Sequence, residues 1–336
     1  MTTETTTQST TGARLRLPDL LEGPTAAQLV VAADDLGWWA RLLNGAGSVV
    51  PATRLQRSLA RALERVGWLA AAPDGSFRLT PDGVEIAFNR GFVRVAVRGW
   101  EPTFRVLGER AATDDVIPAR TDPAAVARGC TDIARRSPAT IAAIAARIAA
   151  DPVPGTTLDL GCADGGRLQA IGALAPDERL AGVDIEAGVI ADARARLAAG
   201  DLAGRFRLLA GSVQPGDGPP PWLDDDLREN VTTAMTFFLL HQLASDGGGI
   251  AAVLGAWTDW FPNLRRLVVG DVMLSSGEGW HEQPWFAPTF EIYHELTGVR
   301  IWRDEEYRDA YTSLGWRVAE RHDGDHPIVV TSVLER

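Results

Sequence analysis

Two kinds of residue in this chain have the type and spacing to do chemistry: a glycine turn answered by a distant acid, and two histidines. The turn, Gly161-Cys162-Ala163-Asp164-Gly165-Gly166, follows an apolar run, Thr157-Leu158-Asp159-Leu160, and precedes a helical pattern opening at Arg167. A second apolar run, Leu180 to Val183, ends on Asp184. Such a turn lets backbone N–H groups and a helix N-terminus approach a ligand with no Cβ in the way. An acid about twenty residues on then sits where it accepts hydrogen bonds from a ribose diol. The turn lacks the Gly-Lys-Ser/Thr ending of a triphosphate loop, and Ala163 fills the second slot of a dinucleotide fingerprint. Cys162 lies where a small side chain is needed. A nucleoside other than a nucleotide di- or triphosphate is the expected ligand.

Of five histidines, His241 closes the segment Thr236-Phe237-Phe238-Leu239-Leu240-His241-Gln242, and His294 lies in Phe290-Glu291-Ile292-Tyr293-His294-Glu295. Together they would hold one metal ion with positions left for water and substrate, the open arrangement of a catalytic site. Alternatively His241 is a general base and His294 a satisfied core residue. The other three are His281, His322 and His326.

The elements that must position these groups alternate as a doubly wound α/β sheet requires. Strands are expected at 157–160, 180–184, 205–210, 232–236, 266–271, 315–321 and 328–334, the last two as an antiparallel end. Residues 126–336 form this domain, preceded by a polar linker at 111–125 and a helical, winged-helix-like domain at 13–110. In the latter, helices are expected over 25–44 and 51–66, then a hairpin from Gly67 to Ala87 with Asp74-Gly75 at its tip. Trp38, Trp39 and Trp68 read as core or interface. Residues 91–104, with Phe92, Trp100 and Phe104, would line one wall of a cleft, and 124–150 reads as one alanine-rich helix. The threonine-rich start, 1–12, is expected to be disordered, Pro215 to Pro221 is a loop without assigned chemistry, and there is no internal repeat.

With 336 residues, 46% of them hydrophobic, two domains with ordinary cores are affordable. Two cysteines, Cys130 and Cys162, rule out a disulfide framework. No apolar run is long enough for a membrane span, and a cytoplasmic protein is expected. A net charge of −11 argues against nucleic acid as the main partner. Arg54, Arg57, Arg61 and Arg65 nonetheless share a helix face, either solvated or facing DNA phosphates.

Asp159, Gly161 and Gly165 resemble motif I of class I S-adenosylmethionine (SAM) methyltransferases, whose fold is Rossmann-like with a seven-stranded, mostly parallel sheet. The resemblance implies that Asp159 takes the methionine ammonium and that Gly161, Cys162 and Gly165 line the approach. Asp184 and Ile185 would meet the ribose, Gly211 and Ser212 the adenine, and Thr236 and Phe237 the methyl end. The segments Phe237–Gln242, Val269-Gly270-Asp271 and Pro284–Gly298 resemble α-keto acid C-methyltransferases. That family implies non-haem iron held by His241 and by His294, the latter in an F-E-x-x-H-[DE]-x-x-G segment matched by Phe290, Glu291, His294, Glu295 and Gly298. Gln242 stands where the iron enzyme has an acid.

The expected activity is therefore methyl transfer to C3 of an α-keto acid such as phenylpyruvate, indolepyruvate or a branched-chain 2-oxo acid, in peptide natural-product metabolism, by a homodimer. Trp100, Phe238, Gln242 and Phe286 would form the substrate pocket. Arg128 would pair the substrate carboxylate, with Arg135 and Arg136 as competitors, and Asp271 would accept a histidine N–H. The rivals are a metal-free O- or N-methyltransferase with His241 as base, and a ligand-sensing DNA-binding regulator.

Overall fold

The computed structural model describes residues 17–45, 47–113, 115–134, 136, 138–150, 155–198, 204–216, 218–274, 285–324, 326 and 328–336. The tail 1–12, Arg135, His281 and Pro284 lie outside them. The chain divides into two compact units after Ala87, whereas the sequence placed the division at the linker 111–125.

In the first unit, helices α1 (Leu17–Asp35), α2 (Trp38–Leu43) and α3 (Arg54–Arg65) precede a hairpin of β1 (Leu69–Ala71) and β2 (Phe77–Leu79). The single helix expected over 25–44 is broken at Gly37, whose φ of +67° no helix accommodates. The break turns Trp38 and Trp39 into the core, where Trp39 Nε1 donates to Val30 O at 2.8 Å. Thr53 caps α3 by accepting the Gln56 N–H. Arg54, Arg57, Arg61 and Arg65 are all exposed. Gly75, with φ +79°, makes the hairpin tip as expected. The hairpin is shorter than expected, because residues 81–87 are helical. Thr80 Oγ1 caps the Gly83 N–H at 3.0 Å, Pro81 occupies the first turn, and α4 (Pro81–Arg94) follows.

The second unit, from Phe88, holds the remaining elements. After α4 come a π-helical turn (Val95–Gly99), α5 (Glu101–Arg105), α6 (Leu107–Arg110), α7 (Pro123–Ala134) and α8 (Pro138–Ala149). The one helix expected over 124–150 is thus two, with Pro138 opening the second. The expected linker is tied down within this unit: Ile117 is buried and its N–H donates to Leu296 O at 2.8 Å. Helix α7 crosses the α4–π segment backbone to backbone. A Cβ on Gly91 would lie 2.6 Å from Gly129 O, and one on Gly129 would lie 2.5 Å from Val95 Cγ2.

Seven strands form one sheet in the order β5-β4-β3-β6-β7-β9-β8. They are β3 (Thr156–Leu160), β4 (Arg179–Asp184), β5 (Phe206–Ala210), β6 (Val231–Phe237), β7 (Arg266–Val272), β8 (Arg317–Asp323) and β9 (Val329–Glu335). Each expected strand is present within two residues. Only β9 runs against the others, so the expected pair of reversed strands reduces to one. Helices α9 (Gly166–Leu174), α10 (Ala187–Ala198), α11 (Asp225–Asn230), α12 (Leu240–Asp246), α13 (Ile250–Trp260), α14 (Ala287–Leu296) and α15 (Asp304–Ser313) complete it. Strands β3, β6 and β7 are buried along their length, as a sheet covered on both faces requires. No described helix is long and apolar enough to cross a membrane.

Strands β6 and β7 pair Phe237 with Gly270. A Cβ at Gly270 would stand 2.2 Å from the Phe237 ring. The Gly270→Ala variant is accordingly expected to lose about 1–3 kcal/mol of stability through overpacking, read as a lower midpoint with unchanged slope in chemical denaturation.

Candidate active site

At the carboxyl ends of β3, β4 and β6 two adjoining hollows open, the expected place for a ligand in such a sheet. The first is a cleft bordered by Gly161, Ala163, Arg167, Asp184, Ile185, Ser212 and Phe237. Gly161 (φ +80°) and Gly165 (φ +71°) make the turn after β3, and Ala163 is held at φ +47°. That conformation is costly for a residue with a Cβ. Asp184 offsets it: its carboxylate accepts the Ala163 N–H at 2.8 Å and the Glu186 N–H at 3.0 Å. The same carboxylate borders the cleft and has lone pairs left for a diol. Ile185 is 67% exposed there, an apolar surface against which a base could lie.

Several expected cleft residues serve the scaffold instead. Cys162 is buried beneath Gly182, and Gly211 leaves room for the Trp222 ring at 2.2 Å from a would-be Cβ. Thr236 is fully buried with an unpartnered Oγ1 and does not line the cleft. Asp159 is also fully buried, its oxygens 3.2 Å from Nε and Nη2 of Arg167. Burial pushes its carboxyl up to about 6 even against the Arg167 charge. Arg167 borders the cleft in its place, a role the sequence reading missed.

The second hollow, about 520 Å³ including its open mouth, lies among Trp100, Phe238, His241, Gln242, Phe286, Phe290 and His294. Cys130, Val126, Phe238 and Gln242 border both hollows. Burial pushes the Cys130 thiol up to about 11, so it is protonated at neutral pH. His241 is on the first turn of α12 rather than on the strand, and its side chain is 1% exposed. Its Nδ1 donates to Asp271 Oδ1 at 2.6 Å, and its backbone N–H to Asp271 Oδ2 at 2.9 Å. His294, on α14, donates from Nδ1 to Phe290 O at 2.7 Å. Both rings thus carry the Nδ1 proton and turn Nε2 inward, and the two Nε2 atoms stand 3.3 Å apart. Burial holds the His294 imidazole down to about 3, so it stays neutral.

Aromatic rings fix this pair. Phe290 lies 4.0 Å from the His294 ring, and Trp100 stacks on Tyr293 at 4.3 Å and on Phe286 at 5.6 Å. Gly298 (φ +72°) ends α14, and the Val299 N–H returns to His294 O at 2.8 Å. The glycine of the F-E-x-x-H segment is therefore a helix stop.

Arg128 is not brought to the site. Helix α7 turns Val126, Cys130 and Ile133 inward, which leaves Arg128 exposed about half a turn away. Arg136 instead lies over the rings of Phe92 and Trp285, 5.5 and 5.7 Å from their centroids. His326 lies beside the same rings, its Nε2 2.6 Å from Trp285 O. His322 is on β8 next to Glu320.

Two imidazole nitrogens about 2.1 Å from one ion, at about 90–110° to each other, stand about 3.0–3.4 Å apart. The Nε2 separation matches, and both atoms present lone pairs. Among the described residues no cluster of three or more His, Cys, Asp or Glu side chains suits a metal. An ion here would have these two protein ligands alone, with Asp271 orienting one of them.

No protein-family model matches the chain. The methyltransferase ungE′ of Aspergillus campestris is 29% identical over 216 residues, which span 60% of this chain and 59% of that protein, less than two thirds of its length. Among solved structures, mitomycin 7-O-methyltransferase MmcR is similar at a TM-score of 0.59 and 18% identity, over 95% of this chain and 96% of that one. Human N-acetylserotonin methyltransferase, solved with SAM, is similar at a TM-score of 0.63 and 13% identity, over 95% and 96% of the two chains. The fold is that of these methyltransferases: a helical N-terminal region and a Rossmann-like domain with a seven-stranded, mostly parallel sheet.

Proposed function

We propose that the chain is a SAM-dependent methyltransferase acting on C3 of an α-keto acid at a two-histidine metal centre. The observation that carries this reading is the facing pair of Nε2 lone pairs in an aromatic cavity that shares walls with the glycine-turn cleft. The cleft would take SAM, with Asp184 on the ribose hydroxyls and Ile185 against the adenine. A bound divalent or trivalent cation, iron in the family it resembles, would act as a Lewis acid toward the enolised substrate. The residues do the rest. Asp271 and Phe290 O hold the Nδ1 protons and so keep both Nε2 atoms available. Trp100, Phe286 and Phe290 exclude water and orient an apolar side chain, the positioning contribution to rate. Phe238 and Gln242, on the shared wall, border the line from donor to acceptor.

The test is incubation with SAM and a panel of 2-oxo acids, read by mass for a gain of one methylene, with and without o-phenanthroline. A methylated keto acid whose formation stops with chelator and returns with metal supports the reading; no methylated keto acid overturns it. The Asp184→Ala variant is expected to bind S-adenosylhomocysteine about 10–100-fold more weakly by calorimetry, the loss of charge-assisted hydrogen bonds.

A second reading is favoured by the 2.6 Å contact of His241 Nδ1 with Asp271. That pair would equally orient His241 Nε2 as a general base for O-methylation. Methylation of a phenol, indifferent to chelator, would select it.

A further inference from the structure

The cleft contains a cation that the expected SAM contacts do not use. Arg167 is 4% exposed at its side chain, with its guanidinium centred 4.8 Å from the Phe237 ring. Nε and Nη2 engage the two oxygens of Asp159, and Nη2 also donates to Gly161 O at 2.9 Å. Nη1 has no hydrogen-bond partner among the described residues, yet it is not among the sealed, orphaned atoms. Since Arg167 borders the cleft, that nitrogen is the guanidinium edge left open to a ligand.

The consequence reverses the expected polarity of the amino-acid end. Asp159 is fully buried behind Arg167 and does not border the cleft, so its carboxylate is not presented to an ammonium there. What faces the cleft is a donor with permanent positive charge, held in plane by a ring below and a carboxylate behind. Guanidinium groups placed this way bind a second carboxylate through their remaining N–H bonds. We propose that Arg167 receives the carboxylate of the methionine portion of SAM, with Asp159 as the residue that positions it. This rests on the cofactor reading above. The ammonium would then fall to backbone carbonyls or water rather than to Asp159.

Calorimetry on the full chain with three ligands separates the possibilities. These are S-adenosylhomocysteine, its decarboxylated analogue S-adenosyl-3-thiopropylamine, and methylthioadenosine, which lacks the amino-acid end. The native chain is expected to bind S-adenosylhomocysteine about 30-fold more tightly than the decarboxylated analogue, the scale of a charge-assisted contact. In the double variant Asp159→Asn, Arg167→Gln, which buries no lone charge, that ratio is expected to fall below about 3-fold with methylthioadenosine affinity unchanged. Retained methylthioadenosine binding reports an intact cleft. Should the double variant not fold, Arg167→Lys keeps the charge but loses the fork, and is expected to weaken S-adenosylhomocysteine alone by about 10-fold. Equal affinity of the native chain for the first two ligands overturns the proposal and leaves SAM binding standing. So does a ratio that survives in the double variant or, where Arg167→Lys is used, unchanged affinity. No binding of any adenosine ligand overturns the cofactor reading itself.

Discussion

The His294→Ala variant is expected to lose keto-acid methylation by about 10²–10³-fold, the scale of removing a group that stabilises developing charge. S-adenosylhomocysteine affinity should change by less than about 3-fold, since His294 does not border the cofactor cleft. The two readings of the site part here. If His241 works alone as a base, His294 is a neutral ring packed on Phe290, and its removal perturbs packing more than chemistry. His241→Ala would then be the only severe substitution. If both nitrogens grip one ion, either substitution opens the grip and both variants fail alike. The measurement is initial rate for the two variants on the same substrate, with bound metal determined on the same samples. An active His294→Ala enzyme sinks the metal centre.

A second large effect is expected from Asp271→Asn, although the shapes match. The two oxygens of Asp271 accept four donors: His241 N–H and Nδ1–H, the Val272 N–H at 2.9 Å and the Tyr307 hydroxyl at 3.2 Å. Burial holds the Tyr307 phenol well above its ordinary range, so it remains a donor. An amide supplies one accepting oxygen and one NH₂, so donors would meet donors around a fully buried side chain. Stability should fall by about 2–3 kcal/mol through unsatisfied buried groups. The amide would also reward the other His241 tautomer and move the proton onto Nε2. Metal affinity should therefore fall about 10–100-fold, read by titration of the apo-protein alongside thermal unfolding. Full metal binding by the variant would show that Asp271 does not set the tautomer.

The sheet was legible because its strands are short apolar runs bounded by glycine, proline and acid, and burial on both faces demands that composition. The glycine turn and Asp184 were legible because tight turns restrict residue choice. The failures are equally physical. Residues 83–88, Gly-Val-Glu-Ile-Ala-Phe, alternate like a strand, but the Thr80 cap and Pro81 at the first turn make a helix. Arg128 fell to helical period: the register that brings Val126 and Cys130 inward sends it out. Arg167 was invisible because its pairing with Asp159 depends on how the turn folds helix α9 back over the end of β3, and no periodicity encodes that. His241 and His294 are 53 positions apart; their pairing was one of two readings of the residues, which resemblance strengthened, and their distance required coordinates.

Phe238 sits at φ +56°, where a side chain is strained and glycine would rest at no cost. With Val126, Cys130 and Gln242 it borders both hollows, and its ring is the aromatic part of that common wall. The molecule thus keeps a strained backbone link in the partition between its two hollows, and a glycine there would relax the link while widening the passage from one hollow to the other.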